Sequence, residues 1–206
     1  MTETSIPMFT RQFECPSCGA KLERNNPATK MIGCPYCGQA SFVEAQRLEP
    51  HGAQNLLIDY GSALAIGNRM PIGGHDWSIL GRVRLRYQDG FWDEWYLQND
   101  EGQVVWLQED DGSFTLFVPK GELPEPLSLS SVPVGKSVQL PGLGEPIFIT
   151  SKGTAHVENG EGELPFQVVP GDPADFVEGY RDGKVVSIEV LPRTSTVFIG
   201  QPVQLF

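Results

Sequence analysis

The chain has 206 residues, 40% hydrophobic and 20% charged, with 23 Gly, 17 Pro and a formal net charge of −11. That length holds one large or two small domains, and the composition is that of a soluble globular protein rich in turns. Residues 1–48 hold five Lys/Arg against four Asp/Glu, a net +1, so the other residues carry −12 of the total. So acidic a body repels phosphate backbones and argues against nucleic acid as a partner; solubility or a basic partner accounts for the charge.

The N-terminus is polar and lacks the apolar core of a signal peptide. No run approaches the ~18 apolar residues of a spanning helix. The expectation is a cytoplasmic chain with no direct membrane insertion, any membrane contact coming through a membrane-protein partner.

All four cysteines, Cys15, Cys18, Cys34 and Cys37, stand in a C-x2-C-x15-C-x2-C pattern. Paired cysteines seldom persist as disulfides in a reducing cytosol, and this spacing is that of a two-knuckle tetrahedral site. Each knuckle reads Cys-Pro-x-Cys-Gly: the proline presets φ on entry and the glycine permits a left-handed exit. The reading is a zinc ribbon over residues 1–48 holding one structural Zn²⁺. A redox dithiol and an iron–sulfur site are the alternatives. Four thiolates leave no open position for substrate or water. Phe13, Leu22, Ile32 and Phe42 are the expected ribbon core, and Ser41–Val43 its last strand.

Glu44–Gly52 reads as a linker, and residues 54–206 as an all-β body. Trp77–Tyr87 alternates Val83, Leu85 and Tyr87 with Arg82, Arg84 and Arg86, the period of a half-buried strand. Asp89-Gly90 turns into Phe91–Gln98, then Gln103–Glu109 and Ser113–Val118 follow, a four-stranded antiparallel meander. Lys120–Pro133 crosses to a second series: Ser137–Leu140, Pro146–Thr150, Gly153–Glu158, Leu164–Val169, Asp175–Tyr180, Lys184–Val190 and Thr194–Ile199. The fold class is therefore all-β, with candidate halves at 54–120 and 133–206. Two tandem barrels or rolls, or one larger sandwich, fit the pattern.

The densest chemistry lies at Trp92-Asp93-Glu94-Trp95-Tyr96-Leu97. On a strand, Trp92, Glu94 and Tyr96 share one face and Asp93, Trp95 and Leu97 the other. Trp106 and Glu109 stand on the next strand. One reading is an aromatic cleft in which Glu94 and Glu109 bind a cation or act as acid and base. The structural alternative, favoured by the neighbouring arginine strand, pairs Glu94 with Arg84 or Arg86 and buries the indoles. Glu161 and Glu163 read as an acidic turn before a buried strand, or as a loop presented to a partner. His51, His75 and His156 share no metal-ligand spacing. No nucleophile elbow, P-loop or Rossmann fingerprint exists, so no catalytic residue is assigned.

Ile79-Leu80-Gly81-Arg82-Val83-Arg84, the Trp92–Leu97 run, Trp106-Leu107-x-Glu109, Gly112-x-Phe114 and Gly160-Glu161-Gly162-Glu163-Leu164-Pro165-Phe166 together resemble the bacterial DUF4178 family over residues 55–206. Some members of that family carry an N-terminal zinc ribbon. The resemblance implies no catalytic residues. It implies genes placed beside small membrane proteins and polyamine-synthesis-like enzymes, hence a membrane- or stress-linked complex. The leading expectation is a non-catalytic adaptor or scaffold that binds protein partners. The alternative is a protein or enzyme that uses Glu94 and Glu109 on a polyamine-like cation.

Overall fold

The computed structural model describes residues 10–45, 47–54, 56–88 and 90–205. The ribbon is two small antiparallel sheets. β1 (Arg11–Glu14) pairs with β2 (Lys21–Arg24), and β3 (Met31–Gly33) pairs with β4 (Gln39–Glu44), which pairs with β5 (Arg47–Gln54). The segment expected as a linker is thus largely strand. Its Pro50 and Gly52 read as loop residues. β5 is a sheet edge, where proline is tolerated, and a bulge opposite Gln39–Ala40 takes up the extra residues.

β6 (Arg69–Ile72) leads into β7 (His75–Tyr87), and the expected meander follows as β8 (Gly90–Asn99), β9 (Val104–Asp110) and β10 (Ser113–Glu122). Asp89 of the expected Asp89-Gly90 turn lies outside the described residues; Tyr87 faces Gly90 across the hairpin. A 3₁₀ turn (Leu129–Ser131) and the short β11 (Ser137–Val138) cross to β12 (Ile147–Leu164), β13 (Pro173–Arg181), β14 (Lys184–Val190) and β15 (Ser195–Val203). β10 pairs with β15, and β12 pairs with both β13 and β7. The ring β7-β8-β9-β10-β15-β14-β13-β12 therefore closes as one eight-stranded antiparallel barrel. The two candidate halves supply four strands each to this single barrel and do not form separate ones.

β12 departs most from expectation. Pro146–Thr150 and Gly153–Glu158 were two strands in the sequence pattern, and Leu164–Val169 a third. One continuous strand runs from Ile147 to Leu164, and residues 165–172 are loop and turn. Gly153 is no breaker: a side chain there would meet the Phe176 ring at 3.3 Å, so the glycine makes room for the ring. Bulges at Ile149/Ser151 and Val157/Asn159 bend the strand. It then leaves β7 and pairs through Glu163 and Leu164 with Ile32 and Met31 of β3, fusing ribbon and barrel sheets. Where it crosses, Gly162 adopts φ +69° opposite Gly81, and a Cβ on Gly81 would sit 2.2 Å from the Glu163 carbonyl oxygen.

The segment 123–143 lies over the outer face of β12–β15. It buries Val177, Val186, Ile188 and Val197 beneath Leu123, Val132 and Leu140. Outside β7–β9, Trp77, Ile79, Trp95, Leu97, Val105 and Leu107 pack with Leu64 and Ile72. Phe13, Leu22, Ile32 and Leu48 form the ribbon core around Cys15 and Cys34. Phe42, expected in that core, instead packs on the barrel cluster and stacks on His51 at 4.4 Å, because it sits on the other face of the ribbon sheet from Val43.

The crossing makes a test. Gly81→Ala forces Cβ into a backbone carbonyl, which only a backbone shift relieves. Urea denaturation is expected to show a loss of about 2–4 kcal/mol. A change within about 0.5 kcal/mol would contradict the close approach.

Candidate functional site

The two knuckles share one backbone design. Gly19 N–H donates to the Cys15 carbonyl and Gly38 N–H to the Cys34 carbonyl, each at 2.9 Å. Both glycines take left-handed φ, +75° and +72°, as the sequence requires. The turns bring Cys15 Sγ to 3.7 Å from Cys37 Sγ and Cys18 Sγ to 3.8 Å from Cys34 Sγ, with all four sulfurs within 4.8 Å of one another. Metal–sulfur bonds of about 2.3 Å in a tetrahedron put sulfurs about 3.8 Å apart, so the donor set fits a tetrathiolate metal ion. Four thiolates held this close repel one another. The Gln39 amide draws Cys37 down to about 7. At Cys18 the Ala20 amide also lowers the pKa, but the neighbouring thiols and burial prevail and push it up to about 12. A divalent cation removes that conflict by favouring all four thiolates.

The second site is the barrel lumen. Cross-strand partners share a face, and the register aligns Leu85 with Trp92, Glu94 with Gln108, and Tyr96 with Trp106. On the far wall Glu178 aligns with Ser187 and Phe176 with Glu189. Contacts between strands that are not neighbours prove that these faces point inward. Trp92 on β8 meets Phe176 on β13 edge-on at 5.6 Å, and the Gln108 side chain of β9 is close enough to Glu178 on β13 to lower its pKa. Glu94 senses the charges of both Glu189 and Glu178. No Lys or Arg stands at the inward positions named here.

The two faces of the wall differ in an unusual way. Outward Val186 and Ile188 are each 1% exposed, while inward Ser187 and Glu189 keep accessible surface. Trp92, Glu94, Trp106, Gln108, Phe176 and Glu178 are likewise only half-buried. Glu94 is half-buried on this inward face and keeps some accessible surface. The lumen is packed toward the ribbon by Val83, Tyr96, Ala155 and Leu164 and accessible around the carboxylates.

Burial pushes Glu94 from 4.5 up to about 7, with Glu189 and Glu178 adding repulsion. Trp92 Nε1–H, donating to Glu94 Oε1 at 3.0 Å, opposes the rise. Burial also raises Glu189, and raises Glu178 against a hydrogen bond from Ser151 and the nearby Gln108 side chain. Half-buried Glu94 and Glu178, with the more exposed Glu189 beside them, thus share one face with no protein cation opposite them at the named positions.

Of the expected site residues, Trp92, Glu94, Tyr96 and Trp106 gather on this inner face. Glu109 does not. It points outward, accepting from Ser62 Oγ at 2.7 Å and Trp95 Nε1 at 2.9 Å. One residue of strand parity separates it from Gln108, which takes its place inside. The expected pairing of Glu94 with Arg84 or Arg86 is absent for the same reason. The arginines are on the outer face, where Arg84 makes a bidentate pair with Asp93 at 2.7 Å and Arg82 holds Glu161 at 2.6 Å. That face is no half-buried surface: Arg84 is 1% exposed, bonded to the Ile58 carbonyl and lying over the Tyr60 and Phe91 rings. Glu161 also accepts from Leu57 N–H. Glu163 is buried, accepting from the Asn25 and Asn26 amides and Thr29 Oγ1. Neither acidic residue is presented as a loop tip. Sequence reading missed Glu178 and Glu189; a carboxylate at alternate positions among Val and Ile in β13 and β14 was the available signal.

Fold and sites together define an all-β protein in which a four-cysteine ribbon adjoins a closed barrel with an acidic, aromatic lumen. Over residues 65–205 the chain matches the family described as Domain of unknown function (DUF4178), and it belongs to that family. The match spans every barrel strand and leaves the ribbon before it. No curated protein and no solved structure gives a match.

The raised Glu94 pKa fixes a sign. Between about 4.5 and about 7 the native state holds a proton that the unfolded chain has released, so stability falls as pH rises through that window and then levels. Glu94→Gln removes this contribution. The variant is expected to match the parent at pH 4 and exceed it by up to about 3 kcal/mol at pH 8 in ligand-free chemical denaturation. An unchanged difference across pH would place Glu94 in ordinary solvent.

Proposed function

We propose that this protein is a non-catalytic binding module whose barrel lumen takes a small organic cation of the amine or polyamine-like kind. The observation that carries this is Glu94, Glu178 and Glu189 gathered with Trp92, Trp106 and Phe176 on an inward face that keeps accessible surface. Each carboxylate costs free energy to ionise there alone. An ammonium group supplies the missing charge, and the indole faces favour a cation with an aliphatic body. Such a ligand draws Glu94 back toward its ionised form, so binding near neutral pH releases protons.

The test is calorimetric titration of the full chain with spermidine, benzylammonium and, as neutral control, benzyl alcohol, in buffers of different ionisation enthalpy. At least one amine is expected to bind with proton release at pH 7, and Glu94→Gln to weaken it at least tenfold, as loss of a desolvated charge pair does. If no amine binds, or if Glu94→Gln binds equally well, the reading fails.

The metal of the ribbon is, in this reading, one structural zinc, and reduced thiols suit a cytoplasmic setting. Native mass spectrometry is expected to find one zinc per chain, lost in Cys34→Ser. Among the described residues no helix is long and apolar enough to cross a membrane. The adaptor reading keeps one observation in its favour. Tyr36, Leu56 and Ile66 are exposed along a cleft of about 800 Å³ between ribbon and barrel. A stable protein partner whose capture is abolished by Tyr36→Ser with Leu56→Ser would support it, and capture indifferent to both would remove that face from consideration.

A further inference from the structure

β3 serves two cores. Its Ile32 turns into the ribbon core beside Cys34, while Met31, with no exposed surface, turns into the barrel cluster with Leu164, Val168 and Tyr96. On β4, Ala40 and Phe42 follow Met31 into the same barrel cluster. The connection between these two strands is the Cys34–Cys37 knuckle itself. The ribbon is therefore not tethered beside the barrel; the inward face of one of its metal-binding hairpins completes the packed end of the lumen.

Three further links join the parts. The Lys30 amide donates to the Leu164 carbonyl at 2.8 Å, continuing the ladder between β3 and β12. Asn26 Nδ2 donates to the Tyr96 hydroxyl at 3.2 Å and to Gln98 Oε1 at 3.0 Å, both on the barrel strand that carries Glu94. Glu163, at the end of β12, gathers the ribbon turn by accepting from Asn25 N at 2.9 Å, Asn25 Nδ2 at 2.8 Å and Thr29 Oγ1 at 2.8 Å. A carboxylate this fully engaged holds residues 25–29 against the barrel.

We propose that the β3–β4 hairpin is the floor of the lumen, and that metal occupancy of the four cysteines determines whether that floor is closed. The consequence for ligand retention rests on the lumen being the binding site. The physical chain is short. A ribbon of this size has a small core and draws its fold from its metal. Without metal the Cys34–Cys37 turn loses its constraint, and Met31, Ala40 and Phe42 lose the strand pair that aims them. β12 then loses its partner beyond Gly162, while its pairings with β13 and β7 remain. The barrel wall survives and the end of the lumen beneath Tyr96 and Trp106 opens. Conditions that strip the thiolates thus act on the lumen from outside it.

Hydrogen exchange measured by mass spectrometry on the full chain tests this, comparing zinc-loaded protein with protein stripped by a chelator under reducing conditions. Amides of 163–164 and 31–33 are expected to exchange at least tenfold faster after stripping, while those of 185–190 on the far wall stay within twofold. Unchanged protection at 163–164 overturns the proposal, since the ribbon would then open alone. Loss of protection at 185–190 as well overturns it in the other direction, because the metal would be a staple for the whole fold. Glu163→Gln supplies a second reading in which the metal stays. Its cobalt-substituted form is expected to keep the absorption of a tetrahedral tetrathiolate site, yet to exchange at least threefold faster at 25–29 and 163–164; parental protection there would remove Glu163 as the link. Spermidine affinity, measured on the same samples, is expected to fall at least tenfold on stripping. Equal affinity in both states overturns control of retention. Absence of binding in both states instead discards the lumen as an amine site, and exchange alone then decides the floor.

Discussion

The architecture depends on the path of one strand. β12 pairs along its length with β13, then β7, then β3, and each change of partner has a local cause. Two bulges supply the bends, and Gly81 opposite Gly162 supplies the clearance that lets one backbone pass another at a distance no side chain permits. Without that crossing the barrel has two edges and the ribbon loses its sheet pairing to the barrel. Closure matters energetically, because it pairs edge groups that would otherwise recruit other chains or water.

Closure also divides the chain's charge into two regimes. On the outer face three acids have cationic partners: Asp93 with Arg84, Glu161 with Arg82, and Glu158 with Arg86. The first of these is almost wholly buried beneath residues 57–60 and is kept by good geometry and a full complement of hydrogen bonds. On the inner face the acids have no such cations. Glu94 and Glu178 keep only neutral donors, and all three carboxyls, Glu189 included, are held above their ordinary range. The same residue type is structural on one side of a strand and chemically poised on the other, and a single step of strand parity decides which.

Strand parity also explains which parts of the site were legible. The face shared by Trp92, Glu94 and Tyr96 follows from alternation alone. That Trp106 joins them follows from the hairpin register. Placing Glu109 with them needed a register one residue different from the one the turn at Asn99–Gly102 sets; the Asn99 side chain closes that turn by accepting the Gln103 amide. Glu178 and Glu189 lie about 85 and 95 residues beyond Glu94 in the chain, a separation across which no local pattern carries information about shared space.

The sequence by itself determined that the four thiols converge, because two Cys-Pro-x-Cys-Gly turns act locally. It determined the all-β class and the β7–β10 meander, because alternation and turn residues act over a few positions. Only the tertiary structure decided that two runs of strands close into one barrel, that Phe42 and Met31 serve the barrel, and that the arginine ladder faces out while the acids face in. Each of these depends on which surface covers which, a property of pairings between segments far apart in the chain. Local preference sets the faces of a strand, and closure alone decides which face becomes the inside.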